Sequence, residues 1–152
     1  MLLGNYLQLV YDAEKEAVKA FNRVADKHGD EPDVYQTCQL LASWSEAHIS
    51  DIQPELQLYP AKPDTTAEKL ERVMFDNNEK GSFALLRDLH DLWLLATEID
   101  ICWTIIRQAA DGLRDKELKD LCTKLQKGTE RQIAWLQTRV KQAAPQTLIV
   151  GV

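Results

Sequence analysis

Residues 3–24 read LGNYLQLVYDAEKEAVKAFNRV. Within them Leu3, Leu7, Val10, Ala17, Phe21 and Val24 recur in steps of three and four, and Glu14 falls in the same series. That spacing puts these side chains on one face of a helix and carries a carboxylate into an apolar stripe. Further along, Val34, Cys38, Leu41 and Ile52 run through Ser45 and His48. Leu95, Cys102, Ile105 and Ala109 are interrupted by Asp91 and Glu98, and Leu118, Cys122, Leu125 and Leu136 by Thr129 and Gln132. Polar groups near the middle of inward-facing stripes must meet, and buried polar atoms require partners or a cation. The expected fold is all-α, a four-helix bundle with a polar layer at mid-height.

The helices are expected from about Asn5 to Lys27, from Glu31-Pro32-Asp33 to near Pro54, from Gly81-Ser82 to about Asp111, and from about Lys116 to Ala143. Gly29 and Gly112 are the expected stops of the first and third, and Pro145 of the fourth. Short links join the first and second helices and the third and fourth, so each pair should form an antiparallel hairpin. The link between the second and third covers residues 59–80 and contains Pro60, Pro63 and an amphipathic piece from Ala67 to Phe75. A helix of ~22 residues is ~33 Å long, a distance this link can span. A short, long, short order of connections is what a bundle with one crossover needs. Residues 1–145 thus form one domain with a crossover at 59–80, followed by an apolar tail at 146–152.

The 152 residues carry 28% charged and 45% hydrophobic side chains, an ordinary globular composition with room for a core. No apolar run is long enough for a membrane span, so no membrane partner is expected. A net charge of −6 argues against nucleic acid as a partner. Lys124, Lys127, Arg131, Arg139 and Lys141, interleaved with Asp120 and Glu130, read as a solvated helix face. Cys38, Cys102 and Cys122 lie on apolar stripes and none is beside a His, so they read as buried free thiols. With no basic flank or cleavage site of a secretory signal at the first residues, a cytoplasmic location is expected. The third helix has a second apolar stripe through Leu85, Leu89, Leu92, Ala96, Ile99, Trp103, Ile106, Ala110 and Leu113. One core cannot cover both stripes, and a homodimer is the leading expectation for the excess.

The order of elements and several residues together resemble the ferritin-like superfamily, in particular its bacterioferritin and rubrerythrin branches. Glu14 followed by Phe21 resembles the family's metal-binding Glu and its aromatic, and Tyr11-Asp12-Ala13-Glu14-Lys15 is similar to the YciE/YciF-type branch. Glu130 to Thr138, ERQIAWLQT, resembles the final bacterioferritin helix with its Trp-Leu pair. The resemblance implies a two-iron site built from one Glu on each of two helices and a Glu-x-x-His pair on each of the others. Carried over by position, Glu14, Glu98 and His48 match ligands. Ser45, Thr129 and Gln132 stand where the family has Glu, Glu and His. Glu46 is adjacent to the missing second-helix Glu but points about 100° away. A complete two-iron centre is therefore not expected.

Two functions remain open on this reading. The first is a non-catalytic structural or interaction protein, with no cofactor, in which Glu14, His48 and Glu98 join Ser45, Thr129 and Gln132 in a hydrogen-bonded cluster. The alternative is a metal-handling protein or oxidoreductase with a reduced site, in which Glu14, His48 and Glu98 hold one divalent ion, Fe, Zn or Mn. A small-ligand pocket in the space left by the smaller side chains is a third possibility. His28, His90 and the four tryptophans are expected to have packing or surface roles.

Overall fold

The computed structural model describes residues 1–63 and 80–150, which contain four helices and no strand. Helix α1 spans Leu3–Lys27, α2 Pro32–Leu58, α3 Ser82–Leu113 and α4 Lys116–Pro145. Each start has a local cause. Pro32 opens α2 at its first turn, where its missing N–H and fixed φ cost nothing, and Asp33 adds an anion beside the helix N-terminus. Asp115 caps α4 by accepting from the Leu118 N–H at 3.0 Å.

The contacts fix the direction of every helix. Gly4 at the start of α1 lies against the carbonyls of Tyr59 and Pro60 beyond α2, and Glu14 faces His48. Lys27 and His28, ending α1, meet Asp88 near the start of α3. On the opposite side, Asp33 pairs with Arg139, and Ser45 with Gln132. Gln126 of α4 donates to Asp100 and Thr104 of α3. Adjacent helices are thus antiparallel throughout, and α2 and α3, both opposed to α1, run in the same sense. Of the expected crossover at 59–80, residues 64–79, including the amphipathic piece at Ala67–Phe75, lie outside the described residues, as do 151–152 of the tail.

The core is continuous from Leu3 to Leu136 and includes all three cysteines as buried free thiols. The inward face of α3 differs from the expected one. Its core-facing stripe is the one through Leu89, Leu92, Ile99, Trp103 and Ile106, each at most 1% exposed. In the stripe containing Glu98, Leu95 and Cys102 are buried, but Ile105 is 39% exposed and Asp91 and Glu98 are only partly covered. The cause is position: α3 packs against α1 on one side and α4 on the other, and the wedge between them belongs to the Ile99 face. Sequence periodicity alone cannot rank two apolar stripes on one helix.

The helix ends differ in detail: α1 stops at Lys27 as expected, though not through its glycine. Gly29 does not adopt positive φ, and α1 closes instead through the His28 N–H on the Val24 carbonyl. Helix α3 runs through Gly112 and ends at Leu113, with Arg114 in the left-handed region at φ 56°. There the Asp115 N–H bonds the Ala110 carbonyl and the Arg114 N–H that of Asp111, the paired closure of a Schellman motif. Pro145 is the last residue of α4 rather than a breaker, and Gln146–Val150 continue as a π-helical turn.

Glycine substitutions separate these environments. A Cβ at Gly112 meets nothing within 4 Å, so Gly112→Ala in the last turn of α3 should raise stability by ~0.5–1 kcal/mol. Gly4→Ala would drive its methyl into the Tyr59 and Pro60 carbonyls and should cost ~1–3 kcal/mol. Urea unfolding of the two variants should shift the midpoint in opposite directions; equal shifts would contradict the packing at Gly4.

Candidate functional site

Midway along α1, Glu14 is 0% exposed, with apolar neighbours on its own stripe at Val10 and Ala17. Its Oε2 lies 2.6 Å from His48 Nδ1, and His48 is itself buried at 6%. Contacts this short between an acid and an imidazole are charge-assisted and roughly twice as strong as neutral hydrogen bonds. Burial pushes the Glu14 carboxyl above its ordinary value, and the bond to His48 opposes that shift only in part. The other oxygen, Oε1, is buried without a hydrogen-bond partner.

One turn before His48, Ser45 faces α4. The Gln132 amide Nε2 donates to Ser45 Oγ and to the Leu41 carbonyl, both at 3.0 Å, while its Oε1 is buried without a partner. Thr129 turns back on its own helix and donates to the Leu125 carbonyl at 3.3 Å. Ser45, Thr129 and Gln132 are all 0% exposed. Five of the six positions singled out in the sequence are therefore interior, in two bonded pairs plus Thr129. Glu98 is the sixth, only partly covered beside the fully buried Ile99. Among the described residues, no three His, Cys, Asp or Glu side chains are grouped so as to hold a metal ion.

Gly128 is the residue that sequence reasoning passed over. A Cβ there would stand 2.6 Å from His48 Nε2 and 2.8 Å from Cε1. The imidazole thus rests on bare α4 backbone while Nδ1 reaches across to α1. A glycine inside a helix costs about 1 kcal/mol relative to Ala, and an isolated one inside an otherwise periodic pattern is the signal that would have marked this contact.

No family model, curated protein or solved structure matches this chain.

A second polar cluster ties the end of α1 to α3. Asp88 Oδ2 takes His28 Nε2 at 2.8 Å and Lys27 Nζ at 3.1 Å, with the three side chains between 2% and 9% exposed. His28, expected in a packing or surface role, is a buried partner of Asp88. The cysteines offer no nucleophile: burial pushes Cys38, Cys102 and Cys122 up to about 12, leaving them protonated near neutrality.

Two outcomes follow from the layer. Gly128→Ala should destabilise the fold by ~1–3 kcal/mol despite its better helix propensity, and a His48→Ala background should remove most of that penalty. A double-mutant cycle in urea measures the coupling, and additive effects would deny the contact. The raised Glu14 pKa also has a sign. The folded protein holds this proton more tightly than the unfolded chain, so the group's contribution is complete below its ordinary 4.5 and is lost as pH rises through the folded value. Glu14→Gln cannot ionise, so its stability relative to the natural protein should increase from pH 4 to pH 8. Parallel stability curves would rule this out.

Proposed function

We propose that this protein is a non-catalytic member of the ferritin-like bundles, a structural or interaction protein in which the two-iron centre has given way to a hydrogen-bonded polar layer. The observation that carries the reading is how the interior donors are used. Glu14 and His48 hold each other at 2.6 Å, Gln132 is spent on Ser45 and the Leu41 backbone, and Thr129 on Leu125. Serine, threonine and an amide at three of the six ligand positions do not fit a pair of cations that need bridging carboxylates. The shared direction of α2 and α3 supports the ferritin-like topology, since a bundle with one long crossover requires it. Three buried free thiols support a reducing, cytoplasmic setting.

A second reading has its own support. Glu14 Oε1 and Gln132 Oε1 are buried acceptors with no protein partner, and unpaired acceptors of this kind suit a water or a single divalent ion. Metal analysis of anaerobically purified protein decides between the two. The structural reading expects no stoichiometric metal, no rise in Tm with Fe(II), Mn(II) or Zn(II), and for His48→Leu a stability loss of ~3 kcal/mol from the stranded Glu14. One tightly held ion per chain, lost in Glu14→Ala, would replace it with a metal-handling protein or oxidoreductase.

Self-association as a homodimer is part of the proposal. Ile101, Ile105 and Leu113 on α3 and Met1 and Leu2 beside them are 39–65% exposed, an apolar strip that a second copy would cover. Light scattering should give twice the chain mass, and Ile101→Asp with Ile105→Asp should halve it. A monomer at all concentrations would sink the dimer.

A further inference from the structure

The side of α3 turned away from the core has an order of its own. Phe83, Arg87, His90, Leu94, Glu98, Ile101 and Ile105 follow in steps of four and three, so they share one helix face. None of them is buried, and Phe83, Ile101 and Ile105 are 39–56% exposed. Counted outward from Leu94, the steps are the same in both directions. Turned end over end about Leu94, the stripe therefore lands on itself, with Phe83 over Ile105, Arg87 over Ile101 and His90 over Glu98. Apolar side chains meet at the centre and at both ends, and the aliphatic stem of Arg87 lies along Ile101. A two-fold axis through Glu98 would instead oppose two carboxylates, so the order of charges selects the axis at Leu94.

The two ends of the same helix are complementary in shape. Beside its last turns is an apolar groove of about 290 Å³, lined by Leu2, Tyr6, Ile105 and Leu113 among others. Beside its first turns is the segment Gln146–Val150, brought there because α4 runs antiparallel to α3, and its Leu148, Ile149 and Val150 are 54–75% exposed. These five residues extend at most ~17 Å, whereas Phe83 and Ile105 are ~33 Å apart along the helix, so they cannot fill their own groove. A second copy turned end over end carries its tail to that place, and the exchange happens twice. Resting on the homodimer reading above, we propose that two copies pair through antiparallel α3 helices about a two-fold axis at Leu94, each tail seated in the groove of the other. A stable pair buries about 800 Å² per partner. The α3 stripe, ~33 Å long and ~10 Å wide, supplies less than half of that, and the two seats supply the rest.

Disulfide trapping in the full chain, alongside light scattering, tests the arrangement. The natural thiols are buried, so an introduced one reports by itself. Leu94→Cys sets two thiols across the axis, where helices 8–10 Å apart bring facing Cα atoms within disulfide reach. Mild oxidation should link most of this variant into dimers, and Leu40→Cys, exposed on α2, should stay unlinked. Phe83→Cys combined with Ile105→Cys should link as well, whereas Phe83→Cys alone should not, its two copies being ~33 Å apart. Ile149→Asp should weaken dimerisation at least tenfold with an unchanged circular dichroism spectrum. A dimer by mass in which neither Leu94→Cys nor the Phe83/Ile105 pair links would overturn this axis and leave the homodimer standing. Dimerisation unaffected by Ile149→Asp would overturn the seating of the tail. A monomer would overturn both the homodimer and this account of it, and a mass above the dimer would deny the closed two-fold.

Discussion

Glu14 must be accommodated without water. A carboxylate at 0% exposure in the centre of a bundle is tolerated only if something offsets its desolvation, and His48 is the group that does so. Much of the surrounding architecture follows from that demand. α2 must present its imidazole inward at the height of Glu14, α4 must leave room for the ring, and the adjoining turn of α2 must occupy the amide of Gln132. The layer also makes the register of three helices specific. Sliding α2 by one turn against α1 so that Ile52 took the place of His48 would leave Glu14 beside an apolar side chain, a change far more costly than the corresponding slip between two leucines.

The ends of the bundle use a different logic. Around Asp88, a nearly buried side chain gathers the Lys27 ammonium and the His28 imidazole where α1 stops and α3 begins. On the neighbouring corner Arg139 reaches both Asp33 and Glu31 at the start of α2. At the far end Asn5 exchanges two hydrogen bonds with the Lys62 backbone, and the Tyr59 hydroxyl donates to the carboxylate of the Asp115 cap at 2.7 Å. Surface ion pairs such as Lys124 with Asp51 add little beside these, because solvent screens them.

The fold class and the interior position of Glu14, Ser45, His48, Thr129 and Gln132 were legible because apolar spacing of three and four is a direct statement about which face a helix buries. The exceptions have physical causes. α3 is apolar on two sides, and only the placement of α1 and α4 decides that Ile99 rather than Glu98 points inward. Arg114, not the expected Gly112, takes the left-handed cap because the Schellman closure through Asp115 fixes the end of the helix by hydrogen bonds rather than by residue preference. The Asp88 cluster joins residues sixty positions apart, a separation at which no local pattern speaks.

The absent side chain at Gly128 reaches beyond this molecule. Two positions eighty residues apart share one small volume, so neither is free to drift alone. A descendant that gained any larger residue at 128 would first have to shed its imidazole at 48, and shedding that imidazole would strand the acid on α1. Change at this centre therefore has an order, from the acid outward, and lineages that depart from the trio should do so by losing Glu14 before the other two.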